Sequence, residues 1–279
     1  MQLNAIELAN ALRSGIHRVI LAQDTLNSIN VFPVADADTG TNLSMTLGEV
    51  LETLSVADET HLGSFMASVA DVLLDSARGN SGAIIAQFFQ GMSDSAADET
   101  QFTAKSFAQA VMKGSEYTYD AVENPCDGTI LSVMDAFARS LNTHASAPGN
   151  TSIAVCLTKA TKAAQAALMD TTNKLEVLKK AGVVDAGGKG FVVLIEGISA
   201  YLVDGKKIEQ PQRARLLKKA KQIYAEDKSQ NLEYRFCVEC VINGEDIDRR
   251  KLREDLARLG NSLVLAGTHR KAKVHIHVN

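Results

Sequence analysis

The chain of 279 residues is 46% hydrophobic and 22% charged, which is the balance of an ordinary globular protein. Its formal net charge of −4 argues against a nucleic-acid-binding protein that relies on a basic surface, and no apolar run approaches the roughly 20 residues that span a bilayer. Four cysteines are too few for a disulfide scaffold of this size, so we expect a reduced, cytoplasmic location.

Along residues 1–203, apolar side chains recur at helical spacing, as Leu8, Leu12 and Ile16 do in the first segment. This stretch is therefore predicted to be helical almost throughout. Short clusters of Gly, Asn, Pro and Asp interrupt the periodic pattern, and the candidate site residues lie in these clusters. The arrangement favours a helical barrel or bundle that carries its site on loops at one end.

Residues 204–230 differ from the helical region because they are highly charged and contain Pro211. We interpret this stretch as a linker with one short amphipathic helix, and a solvated helix still attached to the first domain is the alternative. Either interpretation separates a first domain, residues 1–203, from a smaller C-terminal unit.

Residues 231–279 are predicted to form a β-α-β-β unit, which resembles half of a small ferredoxin-like domain. The predicted elements are a strand over 234–242, a helix over 246–259 and strands over 261–266 and 272–278. A unit of about 49 residues is marginal as a domain by itself, and the chain stops within the last predicted strand. We therefore expect the chain to be the N-terminal portion of a longer protein.

Two aspartates, Asp36 and Asp38, precede a small polar run at residues 39–42. Carboxylates this close repel one another unless a cation lies between them, and oxygen ligands suit a hard cation such as Mg²⁺. A calcium loop counted from Asp36 would need a carboxylate at Leu47, and an aspartyl-phosphate pattern fails because glycine takes its fifth position. A magnesium–nucleotide loop remains, with Asn30, Asp36 and Asp38 as oxygen ligands, and a pair of helix-capping or turn aspartates is the alternative.

The apolar helix predicted over residues 83–89 follows a small-residue turn, Arg78-Gly79-Asn80-Ser81-Gly82. Such a turn presents unpaired N–H groups and the positive end of a helix dipole to an anion. We interpret the turn as a phosphate-binding site to which Ser81 adds a hydroxyl donor. An ordinary serine N-cap is the alternative.

Two later clusters carry weaker signals. Within residues 124–129, Thr129 begins a predicted helix and Asp127 is placed to cap it, which is a structural role. Within residues 182–190, glycines beside Asp185 allow a ligand to approach the backbone closely. The second cluster lacks the residue order of a Walker A loop.

Cysteine and histidine side chains recur on the predicted C-terminal strands. Because residues alternate between faces along a strand, His275 and His277 project from one face, whereas Cys237 and Cys240 project from opposite faces. We therefore propose Cys237, His275 and His277 as zinc ligands, with water, Glu239 or another group completing the site. Buried thiols and exposed strand histidines are the alternative.

Four motifs, taken together and in order, resemble those of the dihydroxyacetone-kinase nucleotide-binding (DhaL) family, and most closely those of its bacterial fatty-acid kinases. They lie at residues 30–42, 77–82, 127–131 and 182–190, so the resemblance covers roughly residues 1–203. Residues 231–279 look like the start of the middle domain of such kinases, in a form similar to variants fused to a DegV-type lipid-binding domain.

The resemblance implies an eight-helix antiparallel barrel that binds ATP or ADP at its loop end, with two Mg²⁺ ions bridging the phosphates. It implies that Asp36 and Asp38 are Mg²⁺ ligands, that Asn30 takes a related position, and that a Cys and a His-x-His bind zinc. Arg78, or alternatively Lys189, is the candidate cation for transition-state charge. The nucleotide-binding residues by motif position are Thr39, Gly40, Thr41, Asn42, Gly79, Asn80, Ser81, Gly82, Thr129 and Asp185.

The expected activity is ATP- and Mg²⁺-dependent phosphorylation of the carboxylate of a fatty acid, which a DegV-like protein or fused domain presents. The alternatives are a nucleotide-sensing module without turnover or one component of a triose kinase, and the chain is a candidate homodimer. Two residues depart from the family pattern. Ala37 replaces a glycine, which predicts a strained positive φ, and Ser76 replaces another.

Overall fold

Eleven helices occupy the part of the first 205 residues that the computed structural model describes. The described residues are 2–54, 61–149, 152–205 and 236–279. The helices are α1 (Ala5–Leu21), α2 (Gln23–Ser28), α3 (Thr39–Gly48), α4 (Val50–Thr53), α5 (Leu62–Ser76), α6 (Gly79–Ser95), α7 (Ala104–Ala121), α8 (Ile130–Ala145), α9 (Ile153–Lys174), α10 (Glu176–Ala181) and α11 (Ala186–Asp204).

Side chains at the helix ends explain where several helices begin and stop. Asn4 and Glu7 form a capping box at α1, in which Glu7 N–H donates to Asn4 Oδ1 at 2.9 Å and Asn4 N–H donates to Glu7 Oε2 at 3.3 Å. Thr103 caps α7 in the same way. Gly182 follows α10 with a φ of 69°, a left-handed conformation that stops a helix. Local sequence therefore determines where the loops between these helices lie.

The eight longest described helices form a closed ring. Helix α1 contacts α3, α3 contacts α5 and α6, the helices from α5 to α9 follow in chain order, and α11 closes the ring against α9 and α1. Aromatic rings fill the interior: the Phe191 ring lies 5.5 Å from that of Phe88 and 5.6 Å from that of Phe137, both edge to face. The predicted eight-helix antiparallel barrel is confirmed.

Helix α11 is long and apolar enough to cross a membrane by length and composition alone, but 67% of its most apolar window is buried inside the structure. Its Gly197 lies against Gly15 of α1, and Phe191 lies in the barrel interior. The core helix of a globular protein has this same composition, so the position of α11 in the ring accounts for its hydropathy.

The C-terminal unit is a three-stranded sheet with one helix, as predicted. Its elements are β1 (Phe236–Asn243), α12 (Arg249–Leu256), β2 (Gly260–Gly267) and β3 (Lys271–Val278). Both pairings are antiparallel and the strand order is β1-β3-β2. Helix α12 is shorter than the predicted 246–259, because Asp248 caps its start and the chain turns after Leu256 into β2. The linker prediction falls on residues 206–230 and the predicted strand start on residues 234–235, which lie outside the described residues.

The sheet lies against the loop end of the barrel. Glu123 N–H donates to Leu263 O at 3.3 Å, and Val122 forms an antiparallel bridge with Val264. Gly267 N–H donates to the buried Gln87 Oε1 at 2.6 Å. The side chain of Val264 belongs to the apolar core of the barrel, whereas Leu263 packs on the other side of the sheet towards α12. The two units therefore share part of one core.

Candidate functional site

Two adjoining cavities lie where the loops of the barrel meet the sheet. The larger, polar cavity has a volume of about 430 Å³ and the smaller cavity one of about 250 Å³. Four residues line both cavities: Phe32, Pro33, Asn80 and Ser81. The larger one is also lined by Asn30, Val34, Asp36, Asp38, Thr39, Asn42, Arg78, Gly79, Cys237, Glu239, His275 and His277.

The two aspartates lie on the wall of the polar cavity, just before α3. Asp38 occupies the N-cap position of α3, but its carboxylate makes no capping hydrogen bond, so helix capping does not account for the pair. Partial burial, together with the neighbouring Asp38 carboxylate, raises the pKa of Asp36 to about 7. Ala37 between them has a φ of 54°, as predicted from its place in the loop. The arrangement suits a cation that relieves the repulsion.

Asn30 orders this loop through its side chain. Its Oδ1 accepts from Thr39 N–H at 2.9 Å and from Thr39 Oγ1 at 2.6 Å, and its Nδ2 donates to Val34 O at 2.8 Å. Both lone pairs of Oδ1 are therefore in use, so binding a metal would require this oxygen to change partner. In the structure Asn30 positions Thr39, which lines the cavity.

The start of α6 forms the opposite wall of the cavity. The serine N-cap alternative is wrong, because Arg78 is the N-cap residue and provides no side-chain capping bond. Arg78 N–H donates to Thr46 Oγ1 at 3.0 Å, and a Cβ at Gly82 would lie 2.5 Å from the same oxygen. Close packing on Thr46 therefore holds the first turn of α6 in place, with Asn80 and Ser81 facing both cavities.

Three predicted nucleotide-binding residues have structural contacts instead and line neither cavity. Thr41 N–H donates to Asn27 Oδ1 at 3.0 Å, and a Cβ at Gly40 would lie 2.1 Å from Gln23 O. These contacts fasten α3 to α2, much as Gly82 fastens α6 to α3. Thr39, Asn42 and Gly79 line the polar cavity.

The strand residues predicted as zinc ligands come together. Donor atoms of Cys237, His275 and His277 lie within 4.8 Å of one another, because Cys237 pairs with His277 across β1 and β3. Hydrogen bonds from the two histidines lower the pKa of Cys237 to about 7. Cys240 lies on the other face of β1, outside this cluster. One thiolate and two imidazoles match the donor set of a zinc site.

Glu239 joins this cluster to the start of α6. Its Oε1 accepts from Gly79 N–H at 2.6 Å and lies 3.0 Å from His275 Nδ1. Burial opposes ionisation of Glu239, but the bonds from His275 and Gly79 outweigh it and lower the pKa. The sequence suggested Glu239 only as one option for a fourth ligand. Its spacing of two from Cys237 was the available signal, since it places both on one face of β1.

The smaller cavity contains the two later candidates. Thr129 caps α8 and donates from Oγ1 to Cys126 O at 2.8 Å. Asp185 is 5% exposed, its Oδ2 accepts from Gly188 N–H at 2.7 Å, and burial raises its pKa to about 6. The prediction that Asp127 caps α8 is wrong, because Asp127 binds Ser132 and Lys174 instead.

The two candidate cations differ in position. Arg78 is exposed and lines the polar cavity, close to the start of α6. Lys189 lies in the first turn of α11 and lines neither cavity. The smaller cavity is also lined by three residues of β2 that the sequence did not suggest: Ser262, Leu263 and Val264.

Two protein families match consecutive parts of the chain. The family described as "DAK2 domain" matches residues 33–200, and the "FakA-like" family, the middle domain of a fatty acid kinase, matches residues 233–279. The first match contains the aspartate loop and the start of α6, and the second contains the cysteine–histidine cluster. The two cavities therefore lie where the two matched regions meet.

Similar proteins and structures agree with these matches. Protein YloV of Bacillus subtilis (strain 168) is 33% identical over 282 residues, 96% of this chain and 50% of that protein. An uncharacterized protein of Staphylococcus aureus (strain MRSA252) is 31% identical over 289 residues, 99% of this chain and 51% of that protein. The crystal structure of the dihydroxyacetone kinase from C. freundii in complex with AMP-PNP and Mg²⁺ aligns with a TM-score of 0.52 at 17% identity, over 69% of this chain and 33% of that one. This last similarity concerns the fold, and the chain spans about half the length of the curated relatives it matches.

Proposed function

Because this chain belongs to the DAK2 domain family, we propose that it is the nucleotide-binding part of an ATP- and Mg²⁺-dependent kinase. The acceptor in this proposal is the carboxylate of a fatty acid, presented by a DegV-like lipid-binding protein or by a further domain. The match of residues 233–279 to the middle domain of a fatty acid kinase favours that acceptor over a triose.

The proposal depends chiefly on one observation: the Asp36–Asp38 pair and the first turn of α6 face each other across a single cavity. Carboxylates at one wall provide oxygen ligands for Mg²⁺, and the amides and dipole of α6 favour a phosphate at the other. Mg²⁺ bound there would neutralise negative charge on the phosphates of the nucleotide. The residues of this chain thus fit both the metal and the anion that a kinase must hold together.

Within this site we assign roles by position. Asp36 and Asp38 bind the metal, with Asn30 ordering their loop through Thr39. Ser81 and the backbone at the start of α6 bind phosphate oxygens. Arg78 lies on the rim of the same cavity, where a guanidinium can stabilise charge that develops on the transferred phosphoryl group.

The acceptor side of the cavity is the proposed place of the Cys237, His275 and His277 cluster. Zn²⁺ held by this donor set would add positive charge beside the phosphate-binding wall. Glu239 orients His275 in this arrangement, as carboxylates commonly orient metal-binding histidines. A fatty-acid carboxylate is ionised at pH 7, so its attack on the phosphorus needs no general base.

Substitution of Asp38 by alanine tests the metal-binding role. In the wild-type chain we expect Mg²⁺ to strengthen ADP binding, and in Asp38→Ala we expect that strengthening to fall by more than about tenfold. Calorimetric titration of ADP with and without Mg²⁺ measures the difference. Asp246→Ala, which changes an exposed carboxylate that lines neither cavity, is the control and retains the Mg²⁺ effect. Unchanged Mg²⁺ dependence in Asp38→Ala contradicts the assignment.

The acceptor is tested with the full-length protein, ATP, a fatty acid and a DegV-like binding protein. Formation of acyl phosphate supports the proposed kinase. Formation of dihydroxyacetone phosphate with a triose-binding partner supports a role in a triose kinase instead. Tight ADP binding without turnover of either acceptor indicates a nucleotide-sensing module.

A further inference from the structure

Strand β2 of the C-terminal unit forms one wall of the smaller cavity. Ser262, Leu263 and Val264 line it on that side, opposite residues of the barrel such as Ile84 and Leu131. We infer that residues 262–264 are part of the nucleobase-binding site, so that the C-terminal unit completes the nucleotide site. This inference depends on the proposed function, since it places the base of the nucleotide whose phosphates occupy the polar cavity.

Continuity between the cavities leads to this placement. Phe32, Pro33, Asn80 and Ser81 line both, so a ligand that binds phosphates at the start of α6 can extend directly into the smaller cavity. The polar cavity already contains the carboxylates, the arginine and the cysteine–histidine cluster. The smaller cavity is therefore the place that remains for the non-phosphate end of the ligand.

The lining of the smaller cavity matches the chemistry of a nucleobase. Ile84, Val122, Leu131 and Val264 provide apolar surface for the faces of a flat ring. Polar groups for the ring edges come from side chains and backbone around the same space. They belong to Glu123, Asn124, Thr129, Asp185 and Ser262. A few polar groups within a mostly apolar lining are typical of a site for such a ligand.

The β2 wall is held rigidly against the barrel at this point. Glu123 N–H bonds to Leu263 O, and Val264 packs into the core of the barrel with 2% of its surface exposed. The pairing of β2 with β3 shifts register between Asn261 and Val264, and Ser262 within this bulge has a φ of 54°. The bulge therefore places Ser262 on the cavity, while Asn261 remains exposed and does not line it.

Two ligands separate the base from the phosphates in the test. ADP contains both groups, whereas tripolyphosphate contains only the phosphate group. Ser262→Phe adds a ring to the wall of the smaller cavity, so we expect ADP affinity in the presence of Mg²⁺ to fall by about tenfold or more. The affinity for tripolyphosphate should stay within about twofold of the wild-type value. Competition against a fluorescent nucleotide or calorimetry gives both constants.

Two further variants control for folding and surface effects. Asn261→Phe adds the same ring one residue away, outside the cavity, and should leave ADP affinity unchanged. Val264→Ala removes apolar surface without adding bulk, and we expect about threefold to tenfold weaker ADP binding. Circular dichroism confirms that each variant is folded, and Val264→Ala carries the test if Ser262→Phe does not fold.

Each other outcome overturns the inference in a distinguishable way. Equal losses in Ser262→Phe and Asn261→Phe, or unchanged ADP binding in both Ser262→Phe and Val264→Ala, show that β2 does not contact the base. A parallel loss of ADP and tripolyphosphate binding shows that the wall acts on the phosphates. If the wild-type chain binds neither ligand, the proposed function itself fails.

Discussion

Ala37 holds the backbone between the two aspartates in a left-handed conformation, with a φ of 54°. For an L-residue other than glycine this conformation costs roughly 1–2 kcal/mol. We predict that Ala37→Gly raises the free energy of unfolding by about 0.5–1 kcal/mol, because relief of strain exceeds the entropy that glycine adds to the unfolded chain. Urea denaturation measures the change.

A neighbouring alanine provides the matched control for this prediction. Ala35 is in the same loop, but its φ is not positive, so Ala35→Gly should lower the free energy of unfolding. Equal effects of the two substitutions would mean that backbone strain at Ala37 does not limit stability. Unchanged Mg²⁺-dependent ADP binding in Ala37→Gly would show that the strain has no role in holding the aspartates.

Asp185 is a buried carboxyl whose folded-state pKa is about 6, against an ordinary value of 3.8, because burial disfavours its charge. The folded chain then binds this proton more tightly than the unfolded chain does. Its contribution to stability therefore falls as the pH rises from about 4 to about 6 and is constant above that. We predict that Asp185→Asn is more stable than the wild type at pH 7.5 by roughly 1–3 kcal/mol.

The comparison of two pH values tests this sign. Asparagine caps a helix about as well as aspartate, so the bond from Gly188 N–H can be retained. Thermal or urea unfolding at pH 4.5 and pH 7.5 should show the advantage of Asp185→Asn growing with pH. An advantage that is the same at both values would contradict the raised pKa.

At this scale, the sequence revealed residues whose chemistry is local. Asp36, Asp38 and Ser81 stand in short motifs whose residue types indicate metal and phosphate, and the structure places all three around one cavity. Glu239 could be placed on the same face as Cys237, but its bond to Gly79 joins distant parts of the chain. Ser262 carried no local signal, because only the docking of β2 places it on the smaller cavity.

Helices α1 and α11 cross where two glycines meet. A Cβ at Gly197 would lie 2.6 Å from the Gly15 Cα and 2.9 Å from the Gly15 nitrogen, both backbone atoms that cannot rotate away. We predict that Gly197→Ala lowers the free energy of unfolding by about 1–3 kcal/mol, because the two helices must separate. Chemical denaturation measures this loss.

Gly48 is the control for the helical glycine. It ends α3, and a Cβ there meets no atom within 4 Å. Gly48→Ala should therefore be neutral or stabilising by up to about 1 kcal/mol, since alanine favours the helix. A loss in Gly48→Ala similar to that in Gly197→Ala would show that helix contact at the crossing is not the cause.

Element types could be predicted here because the hydrophobic period differs between helix and strand. The spacing of Leu8, Leu12 and Ile16 predicted α1, and all three are buried. The alternation in β3 correctly predicted that His275 and His277 share a face. The closure of eight helices into a ring came from the family resemblance, since periodicity identifies the apolar face of a helix but not its neighbour.

The barrel and the sheet are joined by a buried hydrogen bond between Gln87 of α6 and Gly267 of β2. Gln87 has no exposed surface, and its Oε1 accepts from Gly267 N–H at 2.6 Å. We predict that Gln87→Ala costs about 1–3 kcal/mol, because a buried amide loses its acceptor. Hydrogen exchange should be faster at the Gly267 amide and along β2, while the helices of the barrel change little.

Gln90 provides the control on the same helix. Its side chain donates to Asp94 Oδ1 at 2.7 Å in an exposed hydrogen bond, so Gln90→Ala should change stability by less than about 0.5 kcal/mol. Faster exchange throughout the barrel in Gln87→Ala would indicate that the residue supports the barrel itself. No sequence pattern indicated this contact, because it joins residues from two separately predicted units.

The ring of helices is closed by its first and last members, α1 and α11. The contact therefore joins the beginning of the chain to residues after 186, which is a pairing of large sequence separation and slow to form. While the chain is being synthesised, the apolar side of α1 has no partner until α11 has left the ribosome. A nascent chain interrupted before that point would expose Leu8, Leu12 and Ile16, the kind of surface that chaperones bind.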